Sequence, residues 1–149
     1  SLISALVESQ HFHPGDTRKP VFSITGMPRR LMVDPQLITQ MVVNLVSNAL
    51  KYSQDRQAPL IDLNFNESCM KMTITDFGIG IPERDIGHLF NSFARASNVD
   101  NINGTGLGLA IAKHIVQLHK GRISLVSKLA EGTIVTVELD YPTDDQQGQ

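Results

Sequence analysis

The chain has 149 residues, 41% of them hydrophobic, and a formal net charge of −2, which together indicate one soluble globular domain with a substantial core. The charge balance excludes the basic excess of proteins that bind nucleic acid or anionic membranes, and 5% aromatic content without Trp argues against base-stacking platforms. The single cysteine, Cys69, excludes an intramolecular disulfide and a zinc cluster built from cysteines, so we interpret it as a packing residue.

The first third of the chain predicts a short helix, a strand pair and a long helix. Residues 2–12 have apolar spacing that is compatible with a helix, and "HPGD" ends it. The β-rich runs "VFSIT" and "RLMV" flank "GMPR", which favours a hairpin. Asp34 has the character of an N-cap with Pro35 at the first helical position, and apolar steps of three and four extend this helix to about Tyr52.

The remainder predicts two strand pairs that enclose a helical region. The first pair is "LIDLNF" and "MKMTITD", and the last pair is "RISLVS" and "GTIVTVELD". Between them lie a short helix over 83–93, a polar loop over 94–105 that has the composition of a mobile lid, and an amphipathic helix that Gly121 ends. Because helices and strands do not alternate regularly, we expect an α+β fold with a mixed sheet over residues 1–141, followed by a polar, disordered tail over 142–149.

Several short motifs match known functional motifs, but the sequence around them lacks the elements that those functions require. "DFG" at 76–78 lacks the upstream glycine loop, strand lysine and catalytic loop of eukaryotic-type protein kinases. "GTGLG" has the wrong glycine spacing for a dinucleotide fingerprint and follows a polar loop instead of a strand. His114 and His119 are five apart, which does not place them on one helix face, so we assign the histidines to surface and helix-end roles.

Three separated features together indicate a nucleotide site. Asn44, Asn48 and Lys51 form a polar stripe beside the apolar face of the long helix. The strand "TITD" delivers Asp76 next to a glycine turn, where a carboxylate can accept from the exocyclic amine of adenine and repel the carbonyl of guanine. "NGTGLGLAIAKHI" runs from a glycine-rich loop straight into a helix, so free backbone N–H groups face an anion.

In this order and spacing the motifs resemble the ATP-binding catalytic domain of bacterial sensor histidine kinases, within the wider family of gyrase, Hsp90 and MutL. The resemblance runs from about Leu2 to Leu139 and includes an asparagine box, "QMVVNLVSNALKYS", and a first glycine box, "DFGIGIP". A phenylalanine box, "LFNSFARAS", a second glycine box, "GTGLGLAIAKHIVQLHKGRI", and a closing "EGTIVTVEL" follow. It implies a two-layer α/β sandwich, the Bergerat ATP-binding fold, with a mixed sheet of about five strands backed by three main helices.

The resemblance also implies roles for individual residues. Asn48 would ligate Mg²⁺ through its side-chain oxygen, Asn44 and Lys51 would support the phosphates during transfer, and Tyr52 would wall the pocket. A neutral amide is a weak ligand for Mg²⁺, so the metal is expected to bind together with ATP. Besides Asp76, the ATP-binding residues by resemblance are Gly78, Gly80, Ile81, Phe90, Phe93, Arg95, Gly104, Thr105, Gly106, Leu107, Gly108, Leu109 and Thr133.

The expected function is donation of the γ-phosphoryl group of ATP–Mg²⁺ to a histidine on a separate dimerisation domain, and through it to a response regulator. In the ATPases of the wider family a Glu activates water where this chain has Asn44, which cannot act as a base. No histidine of this chain lies in an acceptor-like motif, so the domain is expected to be monomeric alone and to hold no self-contained catalytic site. An ATP hydrolase of the same fold and a nucleotide-binding regulatory module without catalysis remain as alternatives.

The sequence also bears on location. No run reaches the ~18 consecutive apolar residues of a membrane span, and the N-terminus does not resemble a signal peptide. We expect a cytoplasmic domain, with any membrane anchor of a longer protein in segments outside this chain.

Overall fold

Five strands form one mixed sheet in the computed structural model, which describes residues 20–53, 56–81 and 108–142. The strands are β1 (Val21–Gly26), β2 (Leu60–Phe65), β3 (Cys69–Asp76), β4 (Arg122–Lys128) and β5 (Gly132–Asp140). Their spatial order is β1-β2-β3-β5-β4. Only β1 and β2 run parallel to each other, and the other neighbouring pairs are antiparallel. The predicted mixed sheet of five strands is confirmed.

Two helices cover one face of this sheet, α1 (Pro35–Lys51) and α2 (Gly108–Leu118). The strands alternate between apolar side chains that point to the helices and polar or exposed ones on the other face, the period of two that a half-covered sheet requires. The architecture is therefore the expected two-layer sandwich. The helices predicted over 2–12 and 83–93 lie outside the described residues.

The hydrophobic core lies between the helices and the inner face of the sheet. Fully burying one large aliphatic side chain contributes roughly 1.5–3 kcal/mol, so this layer supplies most of the folding free energy. The buried apolar residues are Ile38, Met41, Val42, Leu45, Val46, Ala49, Leu50, Ile61, Leu63, Met70, Met72, Ile74, Ala112, Ile115, Val116, Val135, Val137 and Leu139. Cys69 is also buried, which confirms its interpretation as a packing residue.

The start of α1 is set by its capping residue, as predicted. Asp34 has extended backbone angles, and its Oδ1 accepts hydrogen bonds from the amides of Gln36 at 2.9 Å and Leu37 at 3.3 Å. Pro35 follows at the first helical position, where its missing N–H is not needed. Such a cap contributes about 1 kcal/mol and fixes where the asparagine stripe begins along the chain.

The hairpin predicted for residues 21–33 is wrong. β1 pairs in parallel with β2, and the segment 27–33 contains no strand. Gly26 ends β1 with a φ of 83°, and Pro28 lacks the N–H that a ladder needs. Arg29 instead lies over the ring of Tyr141, 3.9 Å from its centroid, which ties the segment to the end of β5.

The end of α2 differs in detail from its prediction. Lys120, not Gly121, has the left-handed conformation, with a φ of 56°. Its amide donates to Gln117 O at 3.0 Å and that of Gly121 to Val116 O at 2.9 Å, the paired bonds of a Schellman motif. Gly121 is needed for another reason, because a Cβ there would overlap the carbonyl oxygen of Glu138.

His119 connects the two helices at this end. Its Nδ1 lies 2.8 Å from Ile115 O, and its Nε2 accepts the amide proton of Asp34 at 3.0 Å. The helix-end role expected for this histidine is confirmed, because the ring ties the last turn of α2 to the first turn of α1.

Replacing Lys120 by Gly is expected to raise the free energy of unfolding by about 0.5–1 kcal/mol. A side chain in the left-handed region is strained by roughly 1–2 kcal/mol, of which the greater flexibility of unfolded glycine cancels part. Urea unfolding measures the change. Gln117→Gly, an exposed position in the last turn of α2, is the control and should lower the stability by about 1 kcal/mol. Equal destabilisation by both changes would contradict the strain at Lys120.

Candidate functional site

A polar row ends the apolar inner face of the sheet. Ile74, Val135 and Leu125 lie side by side on β3, β5 and β4, and the row before it is also apolar. At the next step toward the C-terminal end of β3 the residues in register are polar, and they are Asp76, Thr133 and Ser127. Asp76 and Thr133 are each 7% exposed and Ser127 is half-buried, so the row continues the inner layer of the sheet.

Asp76 is a buried carboxylate. Its Oδ1 accepts the amide proton of Gly78 at 3.0 Å, and the backbone amide of Thr133 also donates to the carboxylate. Burial raises the pKa of Asp76 to about 6, because desolvation of the charged form outweighs the two hydrogen bonds. None of the ion pairs among the described residues includes it. The protein around Asp76 therefore stabilises its negative charge only in part, as is often the case for a ligand-binding carboxylate.

The glycine turn after Asp76 is fitted between α1 and the β4–β5 turn. The amide of Ile79 donates to Tyr52 O at 3.1 Å, and the Ile79 carbonyl accepts from Ala130 N at 2.8 Å. A Cβ on Gly78 would overlap the carbonyl of Tyr52, and Gly80 has a φ of 72°. Glycine is thus required here for close approach and for the turn, and the result is that the turn following Asp76 lies against the end of the asparagine helix.

Ser127 is a residue of this site that the motifs did not indicate. Its Oγ accepts the amide proton of Ile81 at 2.7 Å, lies 3.0 Å from Gly132 O and lies 2.8 Å from Thr133 Oγ1. A signal was present in the strand "RISLVSK", where Ser127 follows Ile123 and Leu125 in the inward phase. A polar residue in the apolar phase of a strand can therefore indicate a site residue that lies outside the recognised motifs.

The asparagine stripe contains a buried donor without an acceptor. Asn44, Asn48 and Lys51 are half-buried on α1. The Asn44 Nδ2 atom is fully buried, and it has no hydrogen-bond partner within the part of the chain that the structure describes. An unpaired buried donor is unfavourable by about 1–3 kcal/mol, so a hydrogen-bond acceptor supplied to Asn44 would stabilise this position.

Besides the main core, a small apolar cluster includes partly buried residues from several elements. It includes three residues that the sequence assigned to the ATP site and two more, namely Tyr52, Ile81, Leu109, Ile79 and Leu125. Its residues come from the end of α1, the glycine turn, the first turn of α2 and β4. The described part of α2 starts at Gly108, which lies within the second glycine box.

Part of the predicted site lies outside the described residues. This applies to the lid over 94–105. It also applies to seven residues assigned to the ATP site, namely Phe90, Phe93, Arg95, Gly104, Thr105, Gly106 and Leu107. Among the described residues no three His, Cys, Asp or Glu side chains come together as a metal cage. Neither described helix is long and apolar enough to cross a lipid bilayer.

Comparisons with known proteins identify the family of the chain. The model of the family described as "Histidine kinase-, DNA gyrase B-, and HSP90-like ATPase" matches residues 33–143, well over half of the chain. The chain is 40% identical over 130 residues to the sensor histidine kinase WalK of Bacillus subtilis, which covers 83% of the chain and 21% of WalK. It is 36% identical over 123 residues to the probable sensor kinase SilS of Salmonella typhimurium, and this match covers 81% of the chain and 25% of SilS.

A solved structure has the same fold. The mycobacterial sensor histidine kinase MprB superimposes with a TM-score of 0.69 at 26% identity, over 83% of this chain and 86% of that one. The chain spans about a fifth to a quarter of the length of the two curated relatives. Because the family model matches most of the chain, the chain belongs to the histidine kinase-, DNA gyrase B-, and HSP90-like ATPase family, and its relatives within that family are sensor histidine kinases.

Proposed function

We propose that the chain binds ATP with Mg²⁺ and supports transfer of the γ-phosphoryl group to a histidine on a separate dimerisation domain. The observation that carries the proposal is the buried Asp76 carboxylate, which ends an otherwise apolar face beside the glycine turn. A buried acceptor of this kind suits the exocyclic amine of adenine. The small apolar cluster that includes Tyr52 and Ile81 offers a surface for the faces of the base.

The phosphate end is assigned to the stripe on α1. Asn48 would hold Mg²⁺ through its Oδ1, the unpaired Nδ2 of Asn44 would donate to an oxygen of the bound nucleotide, and Lys51 would add positive charge. Mg²⁺ bound there supplies charge that neutralises the phosphate oxygens during transfer. The chain's own contribution is to position these groups on a rigid helix that is capped at one end and packed along its length.

Transfer fits the site better than hydrolysis. The α1 sequence "PQLITQMVVNLVSNALK" contains no Asp or Glu, so the helix offers no carboxylate to remove a proton from water. The amide of Asn44 cannot take that role. The acceptor histidine is proposed to lie on a dimerisation domain of the same or a paired chain, and a response regulator would receive the phosphoryl group from it. We propose that residues 1–141 act as one domain.

The test is phosphotransfer between separate proteins. The full chain is incubated with γ-labelled ATP and Mg²⁺, with and without a histidine-containing dimerisation domain, and the label on that domain is followed. The control is the same domain with its histidine replaced by Ala, which should remain unlabelled. Steady release of phosphate without an acceptor would support a hydrolase instead. Nucleotide binding with no transfer to any supplied domain would support a regulatory module.

A further inference from the structure

Ser127 uses all of its hydrogen-bonding capacity in the polar row. A serine hydroxyl has one proton to donate and two lone pairs to accept with. The three contacts of Ser127 Oγ are Ile81 N at 2.7 Å, Gly132 O at 3.0 Å and Thr133 Oγ1 at 2.8 Å. The amide of Ile81 can only donate, and the carbonyl of Gly132 can only accept.

These contacts determine where the hydroxyl protons lie. Two oxygen atoms 3.0 Å apart with no proton between them repel each other, so Ser127 must donate its proton to Gly132 O. The remaining short contact then needs the proton of the other hydroxyl. Thr133 therefore donates to Ser127 and has only lone pairs left for any other partner.

We infer that Ser127 is a specificity-determining residue, which keeps the Thr133 hydroxyl as an acceptor beside the Asp76 carboxylate so that the site favours a purine with an amine at C6. Asp76 and Thr133 are paired in register on β3 and β5, with their side chains in the same inward phase. Two neighbouring acceptors suit an exocyclic amine and oppose a C6 carbonyl. The inference rests on the proposed function, because it needs a purine at Asp76.

Ser127 acts through Thr133 in this scheme and is a positioning residue. Removing the Ser127 hydroxyl releases the Thr133 proton, which can then be donated to a C6 carbonyl. It also removes the acceptor for the amide of Ile81, and this loosens the glycine turn for every nucleotide alike. The ratio of two affinities separates these effects, since a general loosening lowers both affinities and leaves their ratio unchanged.

The experiment measures ADP and inosine diphosphate binding to the full chain by calorimetry without Mg²⁺. The two ligands differ at C6, where inosine carries a carbonyl, and at the adjacent N1, which carries a proton in inosine. The parent should prefer ADP, and Ser127→Ala should reduce this preference by about three- to tenfold, the range of one net hydrogen bond. Ser127→Thr keeps the hydroxyl and should restore the preference. Ser124→Ala, on the exposed side of the same strand, should leave it unchanged.

The decisive test is whether the effect of Ser127→Ala on the ADP preference requires the Thr133 hydroxyl. In a Thr133→Val background, the additional Ser127→Ala change should not alter the ADP preference any further. An unchanged preference in Ser127→Ala alone, or an equal drop in both backgrounds, would overturn the inference. If Ser127→Ala does not fold, Thr133→Val decides by itself. Loss of ADP affinity with unchanged inosine diphosphate affinity supports an acceptor, and loss of inosine diphosphate affinity contradicts it. A parent that binds neither ligand refutes the proposed function instead.

Discussion

Asp76→Asn is expected to make the protein more stable at pH 7 and at the same time a poorer binder of ATP. Burial holds the pKa of Asp76 at about 6, above its ordinary value of 3.8, so ionisation of this group works against the fold. At 1.36 kcal/mol for each pKa unit, the unfavourable term reaches up to about 3 kcal/mol above pH 6. Asparagine keeps the oxygen that accepts from Gly78 and removes the charge.

The difference in stability between the parent and Asp76→Asn should depend on pH. The folded-state pKa is raised, so the stability linked to protonated Asp76 is fully present below about pH 4 and is lost as the pH rises through about 6. Urea unfolding should therefore show the parent and Asp76→Asn close together near pH 4 and the variant more stable near pH 7.5. Parallel curves at all pH values would show that Asp76 does not titrate in this window.

Nucleotide affinity should move in the opposite direction. A hydrogen bond to a charged acceptor is worth about 1.5–3 kcal/mol, so calorimetry at pH 7.5 should show ATP affinity reduced by roughly 10- to 150-fold in Asp76→Asn. In the parent this affinity should also fall as the pH is lowered through about 6, where the nucleotide must displace a proton, and the variant should lack that component.

Asp62→Asn is the matched control for both measurements. Asp62 lies on β2, and its Oδ1 accepts from the hydroxyls of Ser23 at 2.8 Å and Thr25 at 3.1 Å, far from the polar row in register. ATP affinity should be unchanged in this variant. Equal ATP affinity in the parent and Asp76→Asn would remove Asp76 from the adenine site.

Asn48→Ala is expected to separate nucleotide binding from phosphotransfer. ADP without Mg²⁺ should bind almost as tightly as to the parent, because Asp76 and the apolar cluster around Tyr52 are untouched. The gain in ATP affinity on adding Mg²⁺ should shrink. Transfer to a dimerisation domain supplied in trans should fall by at least about 10- to 100-fold, since losing even an outer-shell partner of a metal typically has that effect.

The control for this variant is Gln40→Ala, which also converts an amide to alanine but on the exposed side of α1. Binding and transfer should both equal those of the parent. If Asn48→Ala leaves the Mg²⁺ dependence and the transfer unaltered, the two asparagines of the stripe are surface amides with no role in metal binding or transfer. Loss of ADP binding without Mg²⁺ would instead assign Asn48 to the nucleotide itself.

The features that the sequence predicted well are those decided by neighbouring residues. The start of α1 was predicted from Asp34 and Pro35, because a capping carboxylate and a proline act within one helical turn. The strands from 60 to 76 and from 122 to 140 followed from alternation with a period of two, and the turn between β2 and β3 from "NES". The asparagine and glycine boxes led to the family because their order along the chain is itself the signal.

Tertiary structure decided everything that depends on which segments become neighbours. The partner of β1 is β2, some 40 residues later, and no local pattern distinguishes that parallel pairing from a hairpin. Gly121 lies against Glu138 of a distant strand, where a Cβ would not fit, while the left-handed conformation falls on Lys120. The row of Asp76, Thr133 and Ser127 exists only through strand register, which places Ser127 of β4 beside the hydroxyl of Thr133 on β5. Periodicity shows which face a residue occupies, whereas the identity of its neighbour is set by long-range pairing and packing.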